Sequence, residues 1–508
     1  ARPVAVPSAG RMVSLPPTMD LEFVDTKAAV TTAAHLLLVA PKARFGPRQR
    51  DQRTLHNWLG THAGLANQLG AEASPGLLSG LATSRTQDGR RLTIAVLADS
   101  PSRHNSPARA EAIRKAVAAA GLDPSANNAV LLCLDAEAHL LAAANAVGRA
   151  LPTFSRKSQK RSGGKVALAA LLPDGKACAW PDPVCDTVTT ARAMANLVDT
   201  PPTELDPAAL AAAARRTLRG RRAVRIRELV GPALAKAGLG GIHAVGRCAS
   251  VAPRLWIASA GPQRGPHIAL VGKGITYDTG GLHLKARGAM ETMKADMGGA
   301  AAVLGAFALL TKNAPPCRLS LLLCLAENAI GPAAYKPDDV LTLHSGKTVE
   351  INNTDAEGRL LLADGCSYAV RELGADVVLD AATLTGAQGV ATGDLHAAVI
   401  ANDAEVEGAL LGAGRDTGDL CWPLPFAPEL YRSEFQSPIA DMRNSVKNRS
   451  NAQVSCAAEF VHWHLEGTKA RWGHVDLAFP AFRSDRGTGF GVALLAEAVR
   501  RLAAAARR

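Results

Sequence analysis

Apolar and polar positions along this chain change period repeatedly, and the changes mark its elements. Unbroken apolar runs at residues 36–39, 93–97 and 129–134 predict buried strands, while apolar positions three and four apart at 107–120 and 136–149 predict helices. Beyond Pro181-Asp182-Pro183, which reads as a boundary, residues 187–197 predict a linking helix that stops before Pro201-Pro202. A further helix at 208–218 is introduced by Asp206-Pro207, an N-cap followed by proline at the first helical position. Strand-like runs then recur at 268–271, 319–325, 377–379, 397–400 and 474–477, separated by helical patterns at 298–310, 357–373, 454–465 and 490–505. Strands alternating with helices predict an α/β fold in two domains. The smaller N-terminal α/β domain spans 20–180, a linker helix region covers 181–200, and 201–508 forms a larger C-terminal catalytic domain with a mixed sheet flanked by helices. The chain shows no internal repeat.

Composition narrows the class. A chain of 508 residues with 47% hydrophobic content exceeds what one core usually covers, in line with two or three domains. The run of apolar residues is nowhere read as long enough to span a bilayer, so a membrane is excluded as partner. Nine cysteines, none in Cys-x-x-Cys, read as reduced thiols in a cytoplasmic protein. Residues 1–19, with Arg2 and Arg11 and no acid, read as a flexible tail; organellar import through them stays open.

The net charge of +12 raises nucleic acid as a partner. The excess gathers at residues 42–53, in the loop 156–165, in seven arginines between Arg215 and Arg227, and at the C-terminus. No aromatics are interleaved for base stacking, so a solvated basic face is the favoured reading and nucleic acid the disfavoured one.

Two clusters carry the chemistry. Lys273, Asp278, Lys285 and Asp296 lie in a glycine-rich stretch that follows the strand at 268–271, and Asp355, Glu357 and Arg359 follow in a second. Four carboxylates among apolar runs must be paired or must coordinate cations. A lone acid before a helix reads as a cap; five charged groups returning to strand and helix ends of one domain do not. Asp355 and Glu357, two apart, would point to one side of an extended segment and could bridge two metals about 3.5–4 Å apart. An oxygen-rich set suits Mg, Mn or Zn. On charge alone, Lys273 reads as the ion-pair partner of Asp278.

At these residues the chain resembles the leucyl aminopeptidases, cytosolic two-metal exopeptidases. Asn353-Thr354-Asp355-Ala356-Glu357-Gly358-Arg359-Leu360 stands as that family's signature octapeptide, and Lys273, Asp278, Lys285 and Asp296 keep its spacing. Weaker likeness runs through Asn328 and residues 380–387 to 472–477, so the resemblance covers about residue 187 to the C-terminus. It implies that Lys273, Asp278, Asp296 and Glu357 hold one metal, and Asp278, Asp355 and Glu357 the other. Zn or Mn are the implied metals, with Mg or Co as alternatives. Lys273 would be neutral beside a dication. A water activated by the metals attacks the first peptide carbonyl while one metal takes the free amine. Lys285 stabilises the oxyanion, and Arg359 holds a bicarbonate acting as general base. Met293, Thr383, Leu384, Gly386 and Ala478 line the substrate site, and short peptides with a leucine-like first residue are the implied substrates. A homohexamer is the implied assembly.

The departures are Tyr277, His283, Ala286 and Phe479; His283 reads as a satisfied or exposed histidine rather than a ligand. The alternative function is a catalytically weak member serving as a structural or nucleic-acid-binding protein.

Overall fold

Two large sheets organise the computed structural model, which describes residues 19–45, 49–158 and 164–506. The N-terminal sheet has six strands in the order Asp20–Phe23, Lys165–Leu171, Asn128–Cys133, His35–Pro41, Arg91–Leu97 and Ser79–Arg85. All neighbours are parallel except at the Ser79–Arg85 edge. Every residue of His35–Pro41 is buried. Leu37 and Val39 join the apolar cluster on one face, and Leu36 and Leu38 join the other. A strand covered on both faces has no polar side, which is why its sequence is an unbroken apolar run.

The second sheet has eight strands, ordered Cys421–Pro423, Ala397–Ala401, Arg471–Asp476, Val377–Ala382, His267–Asp278, Arg318–Asn328, Arg254–Ala260 and Arg225–Val230. Its four central strands are mutually parallel and its flanks bring antiparallel pairs, so the sheet is mixed. Gly298–Leu310 packs on one face and Gly358–Arg371 on the other. The parallel centre leaves four strands ending on one edge, where open α/β sheets place their ligands.

Several expectations are refined. Residues 187–197 belong to a longer helix, Asp182–Asp199, which starts at the supposed boundary because Pro183 fits the first turn. That helix ties the two units together. Arg192 donates to the carbonyls of Met19 and Leu151 at 2.9 and 3.0 Å, and Asp199 accepts from Gly487 N at 2.7 Å and Arg486 Nε at 2.9 Å. Asp206 caps Pro207–Thr217 by accepting from Ala209 N at 2.8 Å. One 18-residue stretch, Met293–Leu310, does have the length and hydropathy (mean 1.4) of a bilayer span, which corrects the reading above; 83% of it is buried inside the catalytic unit. None of the nine cysteines is in a disulfide. Residues 1–18, assigned to a tail, and 159–163 of the basic loop lie outside the described residues.

Candidate metal centre and active site

The central strand His267–Asp278 carries Lys273 along its buried length and Asp278 at its end. The chain then reverses at Gly280, whose φ of +84° suits glycine; a Cβ there would lie 2.4 Å from the His283 carbonyl oxygen and 2.9 Å from Asp355 Oδ1. Asp296 follows a 3-10 turn, Met293–Ala295, and precedes Gly298–Leu310. Asp355 and Glu357 come from a turn, not from the extended segment expected, and the turn itself brings their carboxylates together. Neither Asp296 nor Glu357 caps its helix by a side-chain hydrogen bond, so capping does not account for them.

The charges interlock. Lys273 Nζ lies 2.8 Å from Asp296 Oδ1 and 2.8 Å from Glu357 Oε1, and donates to the Thr383 carbonyl at 2.9 Å. Lys285 Nζ lies 2.8 Å from Asp278 Oδ2 and 2.5 Å from Asp355 Oδ1. The expected Lys273–Asp278 pair is therefore wrong in its partners: Asp278 pairs with Lys285, because Lys273 is directed beneath the octapeptide. Gly358 makes that path possible, since a Cβ at this position would sit 2.6 Å from both Cε and Nζ of Lys273. Thr383 Oγ1 donates to Asp296 Oδ1 at 2.8 Å.

Burial sets the electrostatics. It opposes the charged form of Lys273, but Asp296, Glu357 and Asp278 outweigh it and hold the ammonium above its usual range. Lys285 follows the same pattern, with Asp278 the main counter-charge. Burial raises the Asp296, Glu357 and Asp355 carboxyls; neighbouring acids add to the rise and the lysines oppose it. Burial also pulls the Arg359 guanidinium down to about 10, against the pull of Glu357.

Polar residues beyond the two clusters hold them in place. Asn328 Nδ2 donates to Asp278 Oδ1 at 2.8 Å and to the Thr354 carbonyl at 3.1 Å, and Tyr335 donates to the same carbonyl at 2.6 Å. Asn444 accepts from Asn352 N and Asn353 N through Oδ1 and donates to the carbonyls of Asn353 and Ala356 through Nδ2; its own carbonyl accepts from Arg359 Nη1 at 3.0 Å. Asp476 accepts from Leu384 N at 3.1 Å, Ala478 N at 3.2 Å and Thr385 Oγ1 at 2.7 Å, fixing the loop at 383–386. His283 is satisfied as expected, its Nδ1 accepting from Thr354 N at 3.1 Å. Of these, Asn328 and Asp476 lay in the weaker family likeness, while Tyr335 and Asn444 carry no local signal.

A cavity of about 620 Å³ encloses the site. Lys273, Asp278, Lys285, Asp296, Asp355, Glu357 and Arg359 line it, together with Met293, Thr383, Leu384, Gly386 and Ala478. Every site residue expected from the sequence thus meets in one cavity. The sequence reading missed Thr292, Ser445, Arg449, Gln453 and Phe482, which line it too. A second, smaller cavity of about 200 Å³ lies away from these acids, between the two units and lined by Arg114, Arg149, Arg483 and Arg486.

The donor set fits divalent cations. Oxygens of Asp278, Asp355 and Glu357 lie within 4.8 Å of one another, and Asp296 Oδ2 is buried with no hydrogen-bond partner among the described residues. Carboxylates with one amine are hard, anionic ligands suited to such ions.

A mixed sheet whose carboxyl edge gathers four acids and two lysines in one cavity is a site built to hold divalent cations. Residues 192–496 match the catalytic domain of the cytosol aminopeptidase family, and residues 61–160 match M17 aminopeptidase N-terminal domain 2. The chain is 45% identical over 415 residues to the probable aminopeptidase NPEPL1 of Mus musculus, covering 79% of this chain and 78% of that one. It is 39% identical over 416 residues to leucine aminopeptidase 1 of Caenorhabditis elegans, with 79% and 82% covered. The leucyl aminopeptidase of Trypanosoma cruzi superposes with a TM-score of 0.85 at 37% identity, over 96% of this chain and 98% of that chain. The chain belongs to the cytosol aminopeptidase (M17) family, a metal-dependent family, and is an aminopeptidase.

Proposed function

We propose that the enzyme releases leucine-like first residues from short peptides at a centre of two divalent cations, Zn or Mn, with Mg or Co as alternatives. The observation that carries this reading is the single cavity in which four acids and two lysines face the side chains of Met293, Ala478 and Phe479. A structure of the Trypanosoma brucei leucyl aminopeptidase, 35% identical, holds actinonin. Lys273, Asp278, Asp296 and Glu357 would hold one cation and Asp278, Asp355 and Glu357 the other. Bound there, the pair supplies an activated water and a ligand for the substrate's free amine. Lys285 donates to the developing oxyanion. Arg359 would hold a bicarbonate, which would supply a general base there, and the Asn444 carbonyl fixes Arg359 by accepting from its Nη1 at 3.0 Å. Thr383, Leu384 and Gly386 orient the peptide backbone, while Met293 and Ala478 select an apolar first side chain.

The proposal extends to organisation. Residues 20–180 form the N-terminal domain, 181–200 the linking helix and 201–508 the catalytic domain. The assembly is a homohexamer and the compartment the cytoplasm. The basic segments form a solvated face, with nucleic acid the disfavoured partner. The test is hydrolysis of leucyl peptides before and after chelation, with Mn and Zn added back and N-acetylated peptides alongside. Loss on chelation, recovery with metal and no cleavage of acetylated peptides are expected. Cleavage of acetylated peptides at a similar rate overturns the amine-ligand reading, and sedimentation of the same active preparation as a monomer overturns the hexamer.

A further inference from the structure

The cavity has two unlike walls. Met293, Ala478 and Phe479 make one side apolar, whereas Asn353, Arg359, Ser445, Arg449 and Gln453 make the other polar. Arg449 stands on the rim of that polar wall and has no hydrogen bond or ion pair among the described residues. Its neighbours in sequence behave differently: Arg443 is bound to Glu350 at 3.1 Å, and Arg432 to Glu466 at 2.5 Å. Arg449 is close enough to Arg359 for the two like charges to act on each other.

Two further features make this wall positive. Arg359, 6% exposed, keeps a buried Nε without a partner among the described residues. The helix Gln453–Trp463 begins at the cavity, from Ala452 in the left-handed region, with no side-chain cap. The N–H groups of an uncapped first turn carry partial positive charge. The acids of the cavity pair with Lys273 and Lys285, and although Glu357 acts on Arg359, none of them pairs with Arg449. A carboxylate is the group such a wall recognises, and a guanidinium can bind it through two parallel hydrogen bonds.

We propose that Arg449 binds a carboxylate carried one residue beyond the scissile bond, which makes this aminopeptidase prefer dipeptides with a free C-terminus, or peptides with Asp or Glu in second place, over their neutral counterparts. The proposal rests on the aminopeptidase reading above: the free amine goes to the acidic centre, and the chain runs from there past Arg359, two residues from Glu357, to Arg449. The C-terminal carboxylate and an acidic side chain offer the same chemistry, so the test separates them.

The full-length, metal-loaded protein is assayed at fixed bicarbonate on two pairs: Leu-Gly against Leu-Gly-amide, and Leu-Asp-amide against Leu-Asn-amide. In the wild type the charged member of at least one pair has the higher kcat/KM. Arg449→Ala is expected to lower that charged-to-neutral ratio by about 10- to 100-fold, chiefly through KM, as for a lost charge-assisted hydrogen bond. Arg449→Glu is expected to invert the ratio. A fall in the first pair alone assigns the C-terminal carboxylate, and in the second alone the acidic side chain. Equal metal content and melting temperature guard against a folding defect. Ratios unmoved in both variants overturn the role of Arg449 and leave the aminopeptidase reading standing. Failure of the wild type to cleave any of the four overturns both.

Discussion

Gly358→Ala isolates the space through which Lys273 reaches the site. Gly358 opens the helix Gly358–Arg371 and its φ is not positive, so its backbone accepts alanine. On helix propensity alone the change would stabilise the protein by up to about 1 kcal/mol. Space decides otherwise. The added Cβ would lie 2.6 Å from Lys273 Cε and Nζ and 2.7 Å from Cδ. Carbon atoms rest at about 3.5–4.0 Å, so the lysine or the helix must yield by roughly 1 Å. Lys273 has nowhere to retreat: it is 3% exposed, and its amine is fixed between Asp296, Glu357 and the Thr383 carbonyl. A displacement of 1 Å in a catalytic centre can lower the rate by about 10²-fold. We expect kcat/KM on leucyl-p-nitroanilide to fall by about that factor, with weakened retention of one metal, while circular dichroism stays native. Elemental analysis beside kinetics reads both effects. Wild-type activity with full metal content would refute the reasoning, because it would mean the amine does not need the place it occupies.

Other perturbations separate roles that charge alone leaves equal. Lys273→Ala is expected to lose one metal and its activity together; in the metal-free protein it leaves Asp296 and Glu357 facing a methyl group, a destabilisation of about 3–5 kcal/mol in urea melts. Lys285→Ala is expected to keep both metals and lose about 10²–10³ in kcat, so matching metal loss in the two variants would overturn the assignment. Stability should fall in acid through His464, whose Nδ1 is 2.7 Å from Ser345 Oγ and whose titration burial, with Lys347 adding, holds down to about 3 against a usual 6.5. The folded state then binds fewer protons than the unfolded one, so this stability is present above about pH 6.5 and is lost as pH falls toward 3. The loss reaches about 2 kcal/mol by pH 5, and His464→Asn should flatten the pH 7-to-5 difference by that amount; an unchanged slope would show that His464 already protonates in the native state.

What the sequence made legible follows from the range of the forces involved. The strand His35–Pro41 and the helix Gly298–Leu310 are buried on every side, so their composition alone declares them. The edge strands Ser79–Arg85 and Arg225–Val230 were missed for the opposite reason: half-exposed and rich in Ser, Thr or Arg, they owe their form to pairing with Arg91–Leu97 and Arg254–Ala260 rather than to their own side chains. The charged clusters were visible because each is contiguous, and a buried acid stands out in an apolar context. Which lysine pairs with which acid was not visible, because that depends on the Gly358 gap and on a turn at Asp355 where an extended segment was expected. The same limit hides Asn444, which is 91 residues from Asn353 and makes four hydrogen bonds through one amide, three to the octapeptide and one to Asn352 just before it. An asparagine in a loop carries no sign of such a task. Its importance arises only when the fold brings unsatisfied backbone groups to it, and the octapeptide, a turn rather than a helix or strand, has those groups to offer. The residues that do chemistry can therefore be read locally, while the residues that hold them at working distance belong to the tertiary structure.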